Sequence, residues 1–463
     1  NNMKLKNINI TLSLFSLAIL LEGLDAYSIF SIPFSWIGIS VLVATFLFNF
    51  YSGWRADMAR SSPLKLWVFY VIALTIVQAL ISDEILPKYA STTFGQYISL
   101  RLLKVLAFLI AVWIIHLLND YLSKDQIITY IAYVGIVISL LSLYSYFSYI
   151  FDLPDLPRTR PGSGGWTQPI RRACSVLRNY GTFREPSFLA VWVAPIIPLI
   201  FYLAQKKKYW YFLSSIPIVC LVLTRSLTGI MGLILTFIFI SFYNFAKTRE
   251  LNLKLLLPVA LVLVATFLGN NLTYKFPALD PSMCPPYPSD QCDCLIYQDD
   301  LDVAKNSENI TSSVFSRFSL IASGGLDAFE NTSFLRNYIK ENGLTIFGQG
   351  MGLSNISLSY AADEATKHVK DGQVVFRNPG QVVSFNNLFA NLLMSTGMIG
   401  FIWFMYILSS IIRDLLVRKD ELSQYMMAHL LLILFMFFFQ AEELSIFLGV
   451  SLGLITAAGR DND

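Results

Sequence analysis

The chain has 463 residues, of which 55% are hydrophobic and only 14% are charged, and its formal net charge at pH 7 is +3. This composition excludes a soluble globular protein, because apolar runs of membrane-spanning length recur along nearly the whole sequence. The sequence therefore predicts an all-α polytopic membrane protein. A cleavable signal peptide is not expected, since the N-terminal apolar run lacks a small-residue cleavage site and hydrophobic helices follow at once.

Twelve transmembrane helices are predicted, with a large loop between the ninth and the tenth. The predicted spans are 8–24, 28–51, 64–82, 97–118, 126–150, 187–204, 209–224, 227–246, 254–272, 388–412, 425–441 and 443–459. The basic residues of the short connections fall on one side of the membrane if both termini are cytoplasmic, as the positive-inside rule requires. They are Lys4, Lys6, Arg55, Arg60, Lys65, Lys124, Lys206, Lys207, Lys208, Lys247, Arg249, Lys254, Arg413, Arg418 and Lys419.

This topology divides the chain into five regions and leaves two long segments on the outer face. The regions are N-terminal helices one to five in 1–150, an arginine-rich outer loop in 151–186, central helices six to nine in 187–272, the large outer loop in 273–387, and C-terminal helices ten to twelve in 388–463.

The first outer loop is unusually rich in arginine. It carries Arg158, Arg160, Arg171, Arg172, Arg178 and Arg184, with no lysine and three acids. Such a cluster contradicts the positive-inside rule, so a compensating partner is expected. The planar guanidinium suits bidentate binding of phosphate, which favours a polyanionic ligand on the outer face. The alternative is that these arginines contact lipid headgroups or acidic neighbours.

The large outer loop contains three closely spaced cysteines, Cys284, Cys292 and Cys294. In an exported loop such cysteines predict a disulfide rather than a metal site, since no histidine lies at zinc-ligand spacing. We expect one bridge, from Cys284 to either Cys292 or Cys294.

Four polar motifs lie at the outer boundary of the predicted helices. They are G-T-F-R-E-P-S at 181–187, T-R-S-L-T-G at 224–229, S-R-F at 316–318 and F-N-N at 385–387. Pro186 suits the first turn of a helix, Ser226 is a candidate N-cap, and so is either Asn386 or Asn387. Three of the motifs begin inward-running helices, whose N-termini favour phosphate. Three arginines, one in each of the first three motifs, would add to a basic pocket: Arg184, Arg225 and Arg317.

Each motif also has a simpler interpretation. Arg225 can extend to the membrane interface, Arg317 can pair with Asp327 or Glu330, and Glu185 can serve only as a first-turn acid. The glycine-rich 348–352 is typical of a turn. Gly397 and Gly400, three residues apart in the tenth predicted helix, suit close packing against another helix.

In this order, the motifs resemble those of the O-antigen polymerase and ligase superfamily of bacterial envelope glycosyltransferases, whose members are multi-spanning proteins with one large periplasmic loop. The ligases have H-(N/S/Q)-x9-G-x-x-G at the end of that loop. Here Asn386 and Asn387 precede nine residues and then Gly397-Met-Ile-Gly400. T-R-S, and S-R-F followed by G-Q-G-M-G, are similar to further family patterns. The resemblance covers roughly 181–400.

The resemblance implies a GT-C-like, Wzy-type polymerase in the bacterial inner membrane, with undecaprenyl-diphosphate-linked oligosaccharide as donor and acceptor. The resemblance also raises the possibility of a chain-length regulator protein as a partner. No nucleic acid, cofactor or metal is expected. Asn386 stands where the ligases have histidine, which favours a polymerase over a ligase, because asparagine cannot take a proton near neutral pH. A lipid-linked-sugar flippase is the remaining alternative.

The roles of the residues follow from the same resemblance. Glu185 is the first candidate for a catalytic base and His368 the second, while Asn386 and Asn387 would orient the acceptor. The leaving diphosphate would be neutralised by arginines of the outer face, namely Arg184, Arg225, Arg317, Arg172 and Arg178.

Overall fold

The structure is a computed structural model and is almost entirely helical where it is described. It describes residues 2–53, 61–82, 86, 92–154, 159–160, 177–249, 252–272, 339–340, 343–366, 368–370, 373–375, 382, 384–385, 387–418, 420–439 and 444–457. Within these ranges, eight helices are long and apolar enough to cross a membrane, by length and composition. The predicted class, a helical membrane protein, is confirmed at this level. The number of twelve spans stays a prediction.

The helices in chain order are α1 Asn2–Glu22, α2 Phe34–Tyr51, α3 Ser62–Ile81, α4 Phe94–Asn119, α5 Lys124–Ile150, α6 Pro186–Val193, α7 Ile196–Lys206, α8 Tyr209–Leu223, α9 Leu227–Thr248, α10 Leu253–Leu272, α11 Leu353–Thr366, α12 Leu388–Val417, α13 Glu421–Phe439 and α14 Ile446–Ala457. The described residues also contain two short antiparallel strand pairs, β1 Ser28–Ile29 with β2 Ile32–Pro33, and β3 His368–Lys370 with β4 Gln373–Val375.

Two predicted spans differ from the observed helices. The second was expected from residue 28, but Ser28–Pro33 forms the first hairpin, with Phe30 and Ser31 at positive φ in its turn. Helix α2 begins only at Phe34. The sixth span is two helices, α6 and α7, because Pro195 has no N–H to continue the hydrogen bonds of α6.

Several helix starts agree with the sequence analysis. Pro186 is the first residue of α6. The Ser226 hydroxyl accepts from the Gly229 N–H at 3.4 Å and caps α9. The Asn387 side chain accepts from the Ala390 N–H at 3.0 Å and caps α12. The sequence therefore located these helix starts correctly, since capping depends on local residue chemistry.

The core takes buried side chains from most of the helices, and α6 and α7 lie at its centre, with 89% of their most apolar stretch buried. Around it the helices pack closely where small residues allow. Gly449 and Gly453 of α14 face α4, and a Cβ at Gly453 would lie 2.9 Å from the Cβ of Ile115. This spacing of small residues is the pattern that lets two membrane helices approach.

The bundle has two chemically distinct ends. We call one the arginine end; it holds the C-terminal ends of α1 and α8 and the N-terminal ends of α4, α6, α9, α12 and α14. Its basic side chains include Arg101, Lys104, Arg160, Arg178, Arg184 and Arg225. We call the other the lysine end; it holds the start of α5, the ends of α7 and α9, and the start of α10 and α13. Its basic side chains include Lys124, Lys206, Lys247, Arg249 and Lys254.

Candidate functional site

An aspartate with two arginines lies at the arginine end. Asp25, in the turn after α1, forms ion pairs with Arg160 and with Arg184, the latter at 2.9 Å between Nε and Oδ2. Ser35 also donates to Asp25 at 3.3 Å. Burial alone would raise the pKa of Asp25, but the two arginines outweigh burial and hold that pKa below its usual value. The cluster joins the first helix to the segment that leads into α6.

A second basic site lies on the turn between α8 and α9. The Arg178 Nε donates to the Thr224 carbonyl at 2.9 Å, and the Asn179 N–H donates to the Leu223 carbonyl at 2.8 Å. Arg225 follows Thr224 directly, so Arg178 binds the backbone next to an arginine that is distant in sequence. Because Ser226 caps α9 there, the partial positive charge of the helix N-terminus adds to theirs.

The conformation of Arg225 is unusual for its residue type. Its φ is 50°, in the left-handed region, which costs a residue other than glycine about 1–2 kcal/mol. Its side chain is partly buried, and this burial lowers the pKa of the guanidinium. An arginine remains charged despite such a shift. The turn thus retains a strained, partly desolvated cation, which is a feature found at functional sites.

Three of the predicted catalytic residues lie in the described part of the chain, and their surroundings differ. Glu185 precedes α6 and accepts from the Ser187 hydroxyl at 3.1 Å. It lies beside Arg184 and hence beside the aspartate cluster. Asn387 is occupied by its capping bond to α12. His368 lies on β3, opposite Val375 of β4, and only its backbone is described.

Several predicted residues lie outside the described ranges, so their roles stay predictions. They are the orienting residue Asn386, the diphosphate ligands Arg172 and Arg317, and the disulfide candidates Cys284, Cys292 and Cys294.

The glycine-rich segment 345–352 docks into a break in α12. Gly397 has φ 67° and ψ −175°, so the helix is interrupted there. The sequence predicted that Gly397 and Gly400 pack against another helix. For Gly400 this is confirmed, since its carbonyl accepts from Trp67 Nε1–H of α3 at 2.8 Å. For Gly397 it is wrong, because a Cβ there would overlap the backbone of Gly348 in this segment. The break frees backbone groups on both sides, and the loop satisfies them. Met398 and Ile399 N–H groups donate to Thr345 and Ile346 carbonyls at 3.1 and 3.2 Å, while Gln349 and Gly350 N–H groups donate to Met394 and Ser395 carbonyls at 3.0 and 2.8 Å.

Side chains of α3 hold this segment from the other side. The Tyr70 hydroxyl lies 3.2 Å from the Phe347 carbonyl and 3.0 Å from that of Thr396, so it bridges loop and helix. The Gln78 amide donates to Gly348 O at 3.1 Å, and Thr75 Oγ1 accepts from Met351 N–H at 2.9 Å. Non-helical backbone inside a helical bundle is tolerated where protein groups satisfy it in this way.

A small cavity, with room for about one water molecule, adjoins the end of this segment. Its walls include Arg101 and Lys104 of α4, Gly352, Asn355 of α11 and Asn391 of α12. The sequence motifs predict no site here. Two cations within the apolar run of α4 were the available signal, because charged groups inside membrane helices are functional candidates by default.

Asp25 and Arg160 were also missed as a pair. The signal was a lone acid between two apolar runs, but its partners are 135 and 159 residues away in sequence, and no local pattern connects them.

Comparison of the chain with protein-family models, with curated proteins and with solved structures finds no match in any of the three.

Proposed function

We propose that this protein is a membrane glycosyltransferase that polymerises polyprenyl-diphosphate-linked oligosaccharide repeat units at the outer face of the bacterial cytoplasmic membrane. The observation that supports the proposal most is that Arg178 binds the turn that carries Arg225, at the start of α9. Arg184, Glu185 and Asn387 lie at the same end of the bundle. The positive-inside rule assigns the lysine end to the cytoplasm, which would orient the arginine end outwards.

The reaction requires an anion-stabilising site above all. A hydroxyl of the acceptor sugar attacks the anomeric carbon of the donor, the bond from that carbon to the diphosphate oxygen breaks, and the lipid diphosphate leaves. Negative charge grows on the leaving oxygen, and fixed cations in a water-poor site stabilise such charge strongly. Arg178 and Arg225, beside the start of α9, are suited to this task.

The remaining roles follow from position. Glu185 would take the proton of the attacking hydroxyl, with Ser187 holding its carboxylate. Arg184 already pairs with Asp25, so a phosphate at Arg184 would compete with that carboxylate. We therefore assign the leaving diphosphate to Arg178 and Arg225 first, and to Arg184 second. Arg172 and Arg317 complete the proposal as further ligands, while His368 and Asn386 stay secondary candidates.

One observation favours a transporter as the second candidate. The break of α12 at Gly397, filled by the segment 345–352, resembles the interrupted helices that form binding sites in transporters. The lipid-linked sugar would then be the cargo. The proposed polymerase and a flippase differ in whether a glycosidic bond forms, so one experiment separates them.

That experiment supplies the purified protein, in proteoliposomes, with the lipid-diphosphate-linked repeat unit of its own organism, without nucleotide or added metal. The proposal predicts a ladder of glycan lengths on a gel. Transfer of glycan to a supplied lipid or protein acceptor, without a ladder, would indicate a ligase instead. Movement of the lipid across the bilayer, with no new bond, would show that the protein is a transporter.

A further inference from the structure

A buried histidine lies near the middle of α13 and takes no part in the proposed chemistry. His429 is 1% exposed, and its Nδ1 lies 2.6 Å from the carbonyl oxygen of Pro195, in the break between α6 and α7. Its Nε2 lies 2.9 Å from the hydroxyl of Ser451 on α14. The imidazole therefore joins α13 and α14 to the point where the sixth predicted span is interrupted.

The two partners of the imidazole assign a role to each ring nitrogen. A carbonyl oxygen only accepts, so Nδ1 carries a hydrogen and donates to Pro195. In a neutral ring Nε2 is then an acceptor, and the Ser451 hydroxyl donates to it. Neighbouring helices satisfy backbone groups at proline breaks inside a membrane bundle. His429 supplies such a donor to the break after α6.

A row of aromatic rings continues from the imidazole to the segment before α6. The His429 ring meets the Phe447 ring edge to face at 6.2 Å between centroids, and Phe447 stacks on Trp192 of α6 at 5.3 Å. Trp192 in turn contacts Phe183 at 6.3 Å. The three aromatic side chains are buried, and Phe183 lies two residues before Glu185. Packed rings thus connect the imidazole to the proposed base.

Helix α6 is short enough for these contacts to set its position. Its eight residues, Pro186–Val193, span about 12 Å at a rise of about 1.5 Å per residue. Pro195 follows its C-terminal end and Phe183 precedes its N-terminal end, so the contacts of His429 reach both ends. A short helix is a rigid element, and a shift at its far end is transmitted to Glu185.

We propose that His429 is a positioning residue, which sets the place of Glu185 at the start of α6 without touching the substrate. This inference rests on the proposed function, in which Glu185 takes the proton of the attacking hydroxyl. A base acts only within hydrogen-bond reach of that proton. A misplacement of about 1 Å, even from a distant change, costs about a hundredfold in rate. His429 then affects kcat more than KM, because Glu185 acts in the transition state.

Hydrogen–deuterium exchange of the detergent-purified protein tests the positioning without requiring activity. His429→Phe keeps an aromatic ring but removes the bond to Pro195, so we expect about tenfold faster exchange of the amides in 183–193. His116→Phe is the matched control, since His116 is also buried and bound by two hydroxyls, at the lysine end. It should leave exchange in 183–193 unchanged. Unchanged exchange there in a folded His429→Phe protein would overturn the proposal.

Rescue by a conservative variant separates positioning from general stability. The amide nitrogen of asparagine reaches the position of the imidazole Nδ1, so His429→Asn keeps a donor for Pro195. The amide of His429→Gln reaches the Nε2 position instead, towards Ser451. In the polymerisation assay we expect about a hundredfold lower kcat for His429→Phe and His429→Gln, with little change in KM, and a rate close to wild type for His429→Asn. Equal losses in the Asn and Phe variants would refute the role of the bond to Pro195.

The two proposals fail in different ways. If the wild type forms no glycan ladder while His429→Phe still speeds exchange in 183–193, the polymerase and the catalytic role of Glu185 are refuted, and the positioning of α6 by His429 stands. If the ladder forms but His429→Phe polymerises as fast as His116→Phe, the polymerase stands and the positioning role is refuted.

Discussion

The two ends of the bundle each contain an aspartate held by cations, but the two clusters differ in almost every other respect. At the arginine end, Asp25 is 17% exposed and pairs with Arg160, 19% exposed, and with Arg184. At the lysine end, Asp125 is 41% exposed and pairs with Lys206, 47% exposed, with Tyr202 donating at 2.6 Å.

This difference in exposure indicates which of the two clusters contributes more to the stability of the fold. Water and salt screen the exposed pair, and such pairs contribute little to stability. The Asp25 carboxylate is mostly buried and has lost most of its hydration, so its arginines must replace those hydrogen bonds. Arginine suits this role through its planar fork, whereas lysine is a strongly hydrated point charge. We infer that the arginine end is preorganised around Asp25 and that the lysine end is a solvated surface.

The largest expected effect is the loss of the buried carboxylate. Asp25→Ala removes the partner of Arg160, which is mostly buried, and of Arg184, which is 37% exposed. It should lower the free energy of unfolding by about 3 kcal/mol, the low end of the range for a buried pair, because water screens Arg184. Asp125→Ala, the matched change at the lysine end, should cost only about 0–1 kcal/mol. Unfolding by a denaturing detergent in mixed micelles measures both. Equal losses for the two variants would refute the distinction between the clusters.

A smaller effect is expected at the break of α12. Gly397→Ala places a Cβ against the backbone of Gly348, whereas Gly53, also at positive φ, has no atom within 4 Å of the added Cβ. Both changes strain the backbone, so their difference isolates overpacking, which should cost about 1–3 kcal/mol. The same unfolding measurement applies. A Gly397→Ala variant as stable as Gly53→Ala would show that the segment 345–352 does not fill the break tightly.

The smallest effect is the pH dependence of the Asp25 cluster. Because the folded-state pKa of Asp25 lies below its ordinary value of 3.8, ionised Asp25 stabilises the fold above about pH 4. That contribution is lost as the pH falls through the folded-state pKa. The groups that act on Asp25 are Arg160, Arg184, Lys104 and Glu22. The stability difference between wild type and Asp25→Asn should therefore shrink below pH 4. A difference that stays constant down to pH 2 would contradict the depressed pKa.

Features that depend on neighbouring residues could be predicted from the sequence, whereas contacts between residues far apart in the chain could not. The class of protein and the caps Ser226 and Asn387 are predictable, because hydropathy and capping are local. The pairing of Asp25 with Arg160 and Arg184 is not predictable in this way, although contact with acidic neighbours was one interpretation of the arginine-rich loop. The break at Gly397 was missed for the same reason. Two glycines three apart fit a helix interface equally well, and only the remote segment 345–352 distinguishes the two.

The most direct test of the account uses the two ends of α9, each of which has an arginine in the left-handed region. Arg225 has φ 50° at the arginine end, and Arg249 has φ 61° at the lysine end. Substitution by alanine removes one positive charge from a left-handed residue at both positions, although Arg225 is partly buried and Arg249 is exposed. The measurement is glycan polymerisation in proteoliposomes by Arg225→Ala and Arg249→Ala, with folding checked by size exclusion. We expect at least a hundredfold loss of rate for Arg225→Ala, as about 2.7 kcal/mol of transition-state stabilisation implies, and a wild-type rate for Arg249→Ala. Equal rates for the two variants would contradict it.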